Sequence, residues 1–332
     1  MRKSVQRFGC GVDRIAQRYS CLEDFGHTDW SRMRIFDLPA HPSGKSAGAR
    51  SDFYAQVVNE TFEKFYLEEA TPPPVIIHVT CTGYVSPSGA QRCVAKRDWG
   101  RSTEVFHAYH MGCYAALPSI RLALGQLCAG KPSVDIVHTE LCSLHLDPAL
   151  HDAEQLVVQT LFADGMIRYT LATELSPSER GFEVLSVREE VLPNTENEMT
   201  WSASENGMRM TLSRSIPEAL SSVLEGFLGR LFEAAGMGLS VAESRESAVF
   251  AVHPGGPRII DQVRTLLGLR AEQVEASNAI LLERGNMSSA TLPHIWQRIL
   301  EGDRVAAGTL VPSLAFGPGL TISGALLRVV DS

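Results

Sequence analysis

Residues 75–80 (VIIHVT) form a short apolar, β-branched run behind Thr71-Pro72-Pro73-Pro74. That is the pattern of a buried strand. The prolines close the stretch before it, because proline lacks an amide donor and clashes with a continuing helix. Residues 52–69 ahead of them read as a helix. The spacing then predicts a strand over 104–111 and a helix over 114–129 that Gly130 ends. A strand over 133–139, a helix over 153–162, a turn at Ala163-Asp164-Gly165 and a strand over 166–172 complete the first half. The polar stretch 175–180 (LSPSER) separates the halves, 1–178 and 179–332.

The second half repeats the alternation. Strands are predicted over 182–187 and 208–212, a helix over 217–235, and a strand over 247–252. Helices follow over 257–267 and 287–300, then strands over 306–316 and 321–330 around Gly317-Pro318-Gly319. Strands alternating with helices in both halves predict α/β layers with buried sheets.

Composition narrows the class. Of 332 residues, 44% are apolar and 20% charged, which is ordinary for a globular chain. Thirty basic against 38 acidic residues leave a net charge of −8, a poor footprint for a nucleic-acid binder. No run of 18 apolar residues predicts a membrane span, and the N-terminus lacks the pattern of a secretory signal. The seven cysteines include no CxxC pair, which reads as reduced, cytoplasmic usage.

Three local sequences carry candidate chemistry. Met111-Gly112-Cys113-Tyr114 runs from a strand through a glycine turn into a helix, where the helix dipole is expected to favour a Cys113 thiolate. Val252-His253-Pro254-Gly255-Gly256-Pro257 is a rigid turn after a strand, able to aim His253 into a site. Gly285-Asn286-Met287-Ser288 opens another helix, with Asn286 either a cap or a donor. Taken singly, each also has a structural reading: a core cysteine, a bonded loop histidine, a helix cap. Together they permit a Cys nucleophile with His and Asn donors around one thioester carbonyl.

MGCYAALPSIRLAL (111–124), AVHPGGPRIIDQV (251–263), RGNMSSATL (284–292) and AFGPGLTISGALL (315–327) resemble, in order and spacing, the signature blocks of the type III polyketide synthases. These are the chalcone synthase-like branch of the thiolase superfamily. LVVQTLFADG (156–165) and RIAQRY (14–19) resemble two further blocks. The resemblance implies an α/β thiolase fold of five layers, αβαβα, built from two similar halves and assembled as a homodimer. It implies Cys113 as the acyl-carrying nucleophile and His253 and Asn286 as the decarboxylation and oxyanion pair. It implies a pocket that includes Cys81, Thr82, Leu146, Trp201, Met210, Ser288 and Phe316. Aromatic gatekeepers of plant members align with Leu146 and Met210, and a cavity glycine with Trp201, which should fill that space. The family also has a strand and a helix of about 50 residues ahead of RIAQRY, for which this sequence holds no match.

The family's basic residues for the coenzyme A phosphate fall near Val5, Phe8 and Val12, while Arg2, Lys3, Arg7, Arg14 and Arg18 cluster at the N-terminus. This combination points to an acidic acyl carrier protein as partner. No cofactor, metal, membrane or nucleic acid is expected; the substrates are acyl thioesters on the phosphopantetheine of a carrier protein or of coenzyme A. Within the superfamily the sequence most resembles bacterial stand-alone ketosynthases that join two carrier-bound β-ketoacyl chains into an α-pyrone, as in myxobacterial antibiotic pathways. The alternative is a type III synthase extending an acyl starter with malonyl-coenzyme A.

Three other classes compete. His107, His110 and Cys113 give a zinc-like spacing, but alternating strand side chains should point the two histidines apart. A Cys-His-Asn hydrolase uses the same residue types but needs the histidine as base to the cysteine. A non-catalytic thiolase-fold scaffold would be marked by loss of the cysteine, which is present here.

Overall fold

The computed structural model describes residues 2–213, 215–236, 238, 241–256, 258–302 and 304–332. One mixed sheet is built from β1 (Val75–Thr80), β2 (Glu104–Tyr109), β3 (Ser133–Leu141) and β4 (Asp164–Ala172), in the order β2-β1-β3-β4. A second combines β5 (Arg180–Val191), β8 (Ala251–Val252), β9 (Leu310–Gly317) and β10 (Thr321–Asp331), in the order β5-β10-β9-β8. A separate hairpin pairs β6 (Met199–Ser204) with β7 (Gly207–Leu212). β1 runs parallel to β3 and β3 antiparallel to β4; β8, β9 and β10 repeat that sequence of directions in the second sheet.

The helices are α1 (Arg2–Phe8), α2 (Ala47–Phe65), α3 (Gly89–Lys96), α4 (Ala116–Cys128), α5 (Ala153–Leu161), α6 (Ile216–Ala234), α7 (Val241–Ser244), α8 (Ile259–Leu266), α9 (Glu275–Arg284) and α10 (Thr291–Glu301). The apolar faces sort them into layers. Phe53, Val58 and Phe62 of α2 pack with Ile76 and Val137 on the outer face of the first sheet. Leu117, Ile120 and Ala123 of α4, with Leu292, Ile295 and Ile299 of α10, fill the space between the sheets. Leu224, Phe227 and Leu231 of α6 cover the outer face of the second sheet. The result is the five-layer αβαβα arrangement, in which the first residues of α4, Ala116 to Ile120, are buried between the sheets.

Several elements differ from the sequence reading. Helix α2 starts at Ala47, because Ser46 caps it by accepting from the Ala49 amide. The expected turn at Ala163-Asp164-Gly165 is instead the start of β4. The Asp164 carboxylate takes the amides of Cys21 and Ser143, and a Cβ on Gly165 would come within 2.5 Å of the Met287 sulfur. The strand expected over 247–252 shrinks to β8, since the Phe250 amide bonds Gln273 rather than the sheet. The helix expected from 287 splits into a 3-10 turn, Ser288–Ala290, and α10. Asn286 Oδ1 captures the Ser288 amide at 2.8 Å, and Ser288 adopts a left-handed φ of 49°.

Candidate active site

Cys113 follows β2 across a tight turn. Gly112 has a φ of +88°, and a Cβ there would lie 2.5 Å from Cδ of Pro318, so only glycine fits. Cys113 stands three residues ahead of Ala116, the first residue of α4. The side chains of Ser288 and Asn286 lie within hydrogen-bonding reach of its sulfur and favour the thiolate. Burial outweighs them, and with the nearby Glu140 carboxylate it pushes the thiol up to about 12. This corrects the expected low value. The dipole acts mainly within the first helical turn, whereas the cost of desolvating a thiolate acts over the whole enclosure.

Asn286 is set by the end of α9. Gly285 takes a left-handed φ of 73°, and Asn286 then bridges to Phe162, its amide bonding the Leu161 carbonyl at 2.9 Å. Its Nδ2 donates to the Pro254 carbonyl at 3.2 Å. His253 is held by its own backbone: its amide donates to Leu314 at 2.8 Å, and its carbonyl accepts from Gly255 at 2.9 Å. The imidazole is fully buried, and among the described residues neither ring nitrogen has a hydrogen-bond partner. Desolvation lowers its basicity to about 3, so it is a neutral ring at ordinary pH. Pro257 of the same motif lies outside the described residues.

A cavity of about 250 Å³ opens beside Cys113. Cys81, Thr82, Leu146, Trp201, Met210 and Ser288 line it. Phe316, expected there, does not; it borders a separate groove with Gly255, Gly256 and Arg258, and Met199 lies on both. His253 and Asn286 do not line the cavity either. Both are fully buried, and Asn286 reaches the Cys113 sulfur. Lining residues missed in the sequence include Cys142, His145, Phe162 and Met199. Phe162 had a signal, an aromatic residue directly before Ala-Asp-Gly; the others become neighbours only through the fold.

Beneath the cavity, the buried Glu140 carboxylate collects the Cys81 amide at 3.0 Å and the Thr82 hydroxyl at 2.8 Å, with the Ser289 hydroxyl also donating. Burial still raises its pKa. The zinc-like spacing disperses: His107 Nε2 pairs with the Ser88 hydroxyl and His110 Nε2 donates to the Trp201 carbonyl. His110 lies past the end of β2, so the break in direction comes from the turn and not from strand alternation. Among the described residues, no group of three or more His, Cys, Asp or Glu side chains could hold a metal ion.

Two of the N-terminal basic residues expected in a patch are engaged within the chain. Arg14 pairs with Asp261 at 2.6 Å. Arg18 Nη1 donates to the carbonyls of Gln159 and Phe162, both at 2.8 Å, and so ties its segment to the core. Arg7 lies over the Phe8 ring. The side chains of Arg2 and Lys3 lie outside the described residues. Among the described residues, no helix is long and apolar enough to cross a membrane.

Two sheets with helices between and outside them, and a cysteine at the N-terminal approach to the central helix, define a thiolase-fold protein. Residues 183–331 match the family model "Chalcone and stilbene synthases, C-terminal domain". The chain is 31% identical over 258 residues to "Probable polyketide synthase 1" of Dictyostelium discoideum, covering 77% of this chain and 8% of that protein. It is 28% identical over 265 residues to "Type III polyketide synthase C" of Arabidopsis thaliana, covering 76% of this chain and 66% of that one. It thus spans less than two thirds of either curated relative. The crystal structure of the C-terminal type III polyketide synthase domain of Steely1, a type I/III hybrid from Dictyostelium, superposes with a TM-score of 0.81. That match covers 98% of this chain and 88% of that domain at 24% identity. The chain is thus similar in sequence and in fold to type III polyketide synthases.

Proposed function

We propose that the protein is a C–C bond-forming acyltransferase, a ketosynthase of the type III polyketide synthase kind, with Cys113 as its nucleophile. The observation that carries this reading is the double role of Asn286, within reach of the Cys113 sulfur and bonded to Pro254, the residue after His253. In loading, the Cys113 sulfur attacks an acyl thioester carbonyl, the old C–S bond breaks, and the thiol proton ends on the released pantetheine thiol. In condensation, the α-carbon of a second thioester becomes an enolate by losing its carboxylate as CO2 or its α-proton. It attacks the acyl-Cys113 carbonyl, the C–C bond forms, the C–S bond to Cys113 breaks, and the leaving thiolate takes up a proton. Negative charge gathers on the oxygen of the second thioester as its α-carbon becomes an enolate. A neutral imidazole and a carboxamide can each donate a hydrogen bond to such an oxygen without carrying charge themselves.

The reading favours a condensing enzyme over a Cys-His-Asn hydrolase because the His253 ring is not hydrogen-bonded to a thiol among the described residues. We take the protein as a cytoplasmic homodimer acting on acyl groups carried by phosphopantetheine. Extension of an acyl starter with malonyl-coenzyme A fits the relatives' names. The narrower reading, joining two carrier-bound β-ketoacyl chains into an α-pyrone, rests on the apolar Val5 and Val12 where the family has basic residues. Arg14 and Arg18, used internally, lend it no support. Intact-mass analysis after incubation with acyl-coenzyme A and with acyl carrier protein, separately, tests both levels. Adduct on Cys113 from either donor supports the enzyme class, and the faster donor selects the substrate. Adduct on another cysteine would exclude the mechanism.

A further inference from the structure

His110 is a non-glycine residue at a left-handed φ of 60°, two residues from Gly112. Such a conformation persists where surrounding contacts over-determine it. Here the contacts form a closed circuit. His110 Nε2 donates to the Trp201 carbonyl at 3.0 Å. The Trp201 indole Nε1 donates to the Cys81 carbonyl at 2.7 Å. The Gly112 amide donates to the Cys81 sulfur at 3.0 Å, and two peptide bonds return from Gly112 to His110. The circuit joins the end of β1, the turn after β2 and strand β6, and Cys113 is the next residue along. The indole is steadied on its flank by the His145 ring, 5.4 Å away and edge-on. The carbonyl of Trp201 can only accept, so His110 carries its proton on Nε2. Its Nδ1 is buried and, among the described residues, has no partner.

We propose that His110 and Trp201 are positioning residues for Cys113, acting through Cys81 and Gly112, an inference that rests on the nucleophile assigned above. The circuit fixes where the Gly112 amide points, and with it where the Cys113 sulfur stands relative to Asn286 and Ser288. Removing one link lets the turn relax by a fraction of an ångström. A small displacement of a reacting atom is costly to a reaction that needs alignment and harmless to one that does not.

Four variants test this: His110→Leu, which removes the donor; His110→Gln, which keeps an N–H donor; Trp201→Phe, which keeps an aromatic ring without the indole N–H; and the double variant His110→Leu/Trp201→Phe. For each, the melting temperature, the single-turnover acylation of Cys113 by a short acyl-pantetheine thioester, and the alkylation of Cys113 by iodoacetamide are measured, the last two by peptide mass. The acylation rate constant should fall on the order of 10–100-fold in His110→Leu and Trp201→Phe. The half-saturating donor concentration should change little, alkylation should be no slower than in the wild type, and His110→Gln should recover most of the loss. The double variant should be no worse than the poorer single, because one circuit is already broken. Unchanged acylation in folded single variants, acylation and alkylation falling together, or losses that multiply in the double variant would each overturn the proposal. A wild-type protein that takes no acyl group on Cys113 would instead remove the nucleophile assignment, and that is read before any variant is made.

Discussion

The side-chain amide of Asn286 donates to the carbonyl of Pro254 at 3.2 Å, joining the turn after α9 to the turn that carries His253. The same carboxamide reaches the Cys113 sulfur. Its Oδ1 is held by the Ser288 amide at 2.8 Å and the Thr291 hydroxyl at 3.4 Å. The donor end is thus oriented by partners that only its oxygen can satisfy. Asn286→Ala should still accept an acyl group on Cys113 but lose condensation by about 10²–10³-fold, the usual cost of one oxyanion donor. Product analysis beside intact mass checks this, and undiminished product would remove Asn286 from the reaction.

Gly112→Ala places a methyl group against Pro318 at a left-handed φ. The strained backbone should cost about 1–3 kcal/mol of stability and displace Cys113. Thermal unfolding and the acylation rate should both fall; a variant with wild-type melting and acylation would show that the turn tolerates the side chain.

Burial holds His253, His78 and His138 down to about 3 and His145 to about 4. Exposed in the unfolded chain, each has a pKa of about 6.5. Between these values the unfolded chain binds more protons than the native one, so stability rises with pH across the window and is lost on acidification. Each histidine adds a slope of up to about 1.4 kcal/mol per pH unit. The raised carboxyls of Glu140 and Asp164 work in the opposite sense. The informative comparison is therefore wild type against His253→Gln. Denaturant unfolding between about pH 7 and pH 4.5 should show the shallower acid loss in the variant; parallel curves would mean His253 is not held neutral by the fold.

Arg18 bonds two main-chain carbonyls, and a Cβ on Gly285 would lie 3.0 Å from its Cγ. Arg18→Glu should lower the melting temperature and slow loading equally from a carrier protein and from a short pantetheine thioester. Slowing confined to the carrier protein, with unchanged melting, would restore the docking role expected from the sequence.

What the sequence carried, and what it did not, follows from the range of the forces involved. β1 was legible from VIIHVT alone, because both faces of a central strand are buried and every position but His78 is apolar or β-branched. The Cys113, His253 and Asn286 turns were legible because glycine and proline mark them locally. Helix α3 was missed although Ser88 and Gln91 form a capping box, a signal that was present but short. The Cys113 thiol went the wrong way because its desolvation comes from burial in a core cluster that includes Phe162, Met199 and Met210, residues far from it in sequence. Phe316 was expected in the pocket from the resemblance alone, and a strand residue's position in the sequence does not say which cavity it borders.

The central claim is that Cys113 carries the acyl group. Wild-type protein and Cys113→Ala, each incubated with an acyl-pantetheine thioester and analysed by intact mass and peptide mapping, decide it. The account predicts one acyl adduct per chain, on the peptide containing Cys113, and none on the variant. An adduct that persists in Cys113→Ala, or one that maps to Cys81 or Cys142 in the wild type, would contradict it.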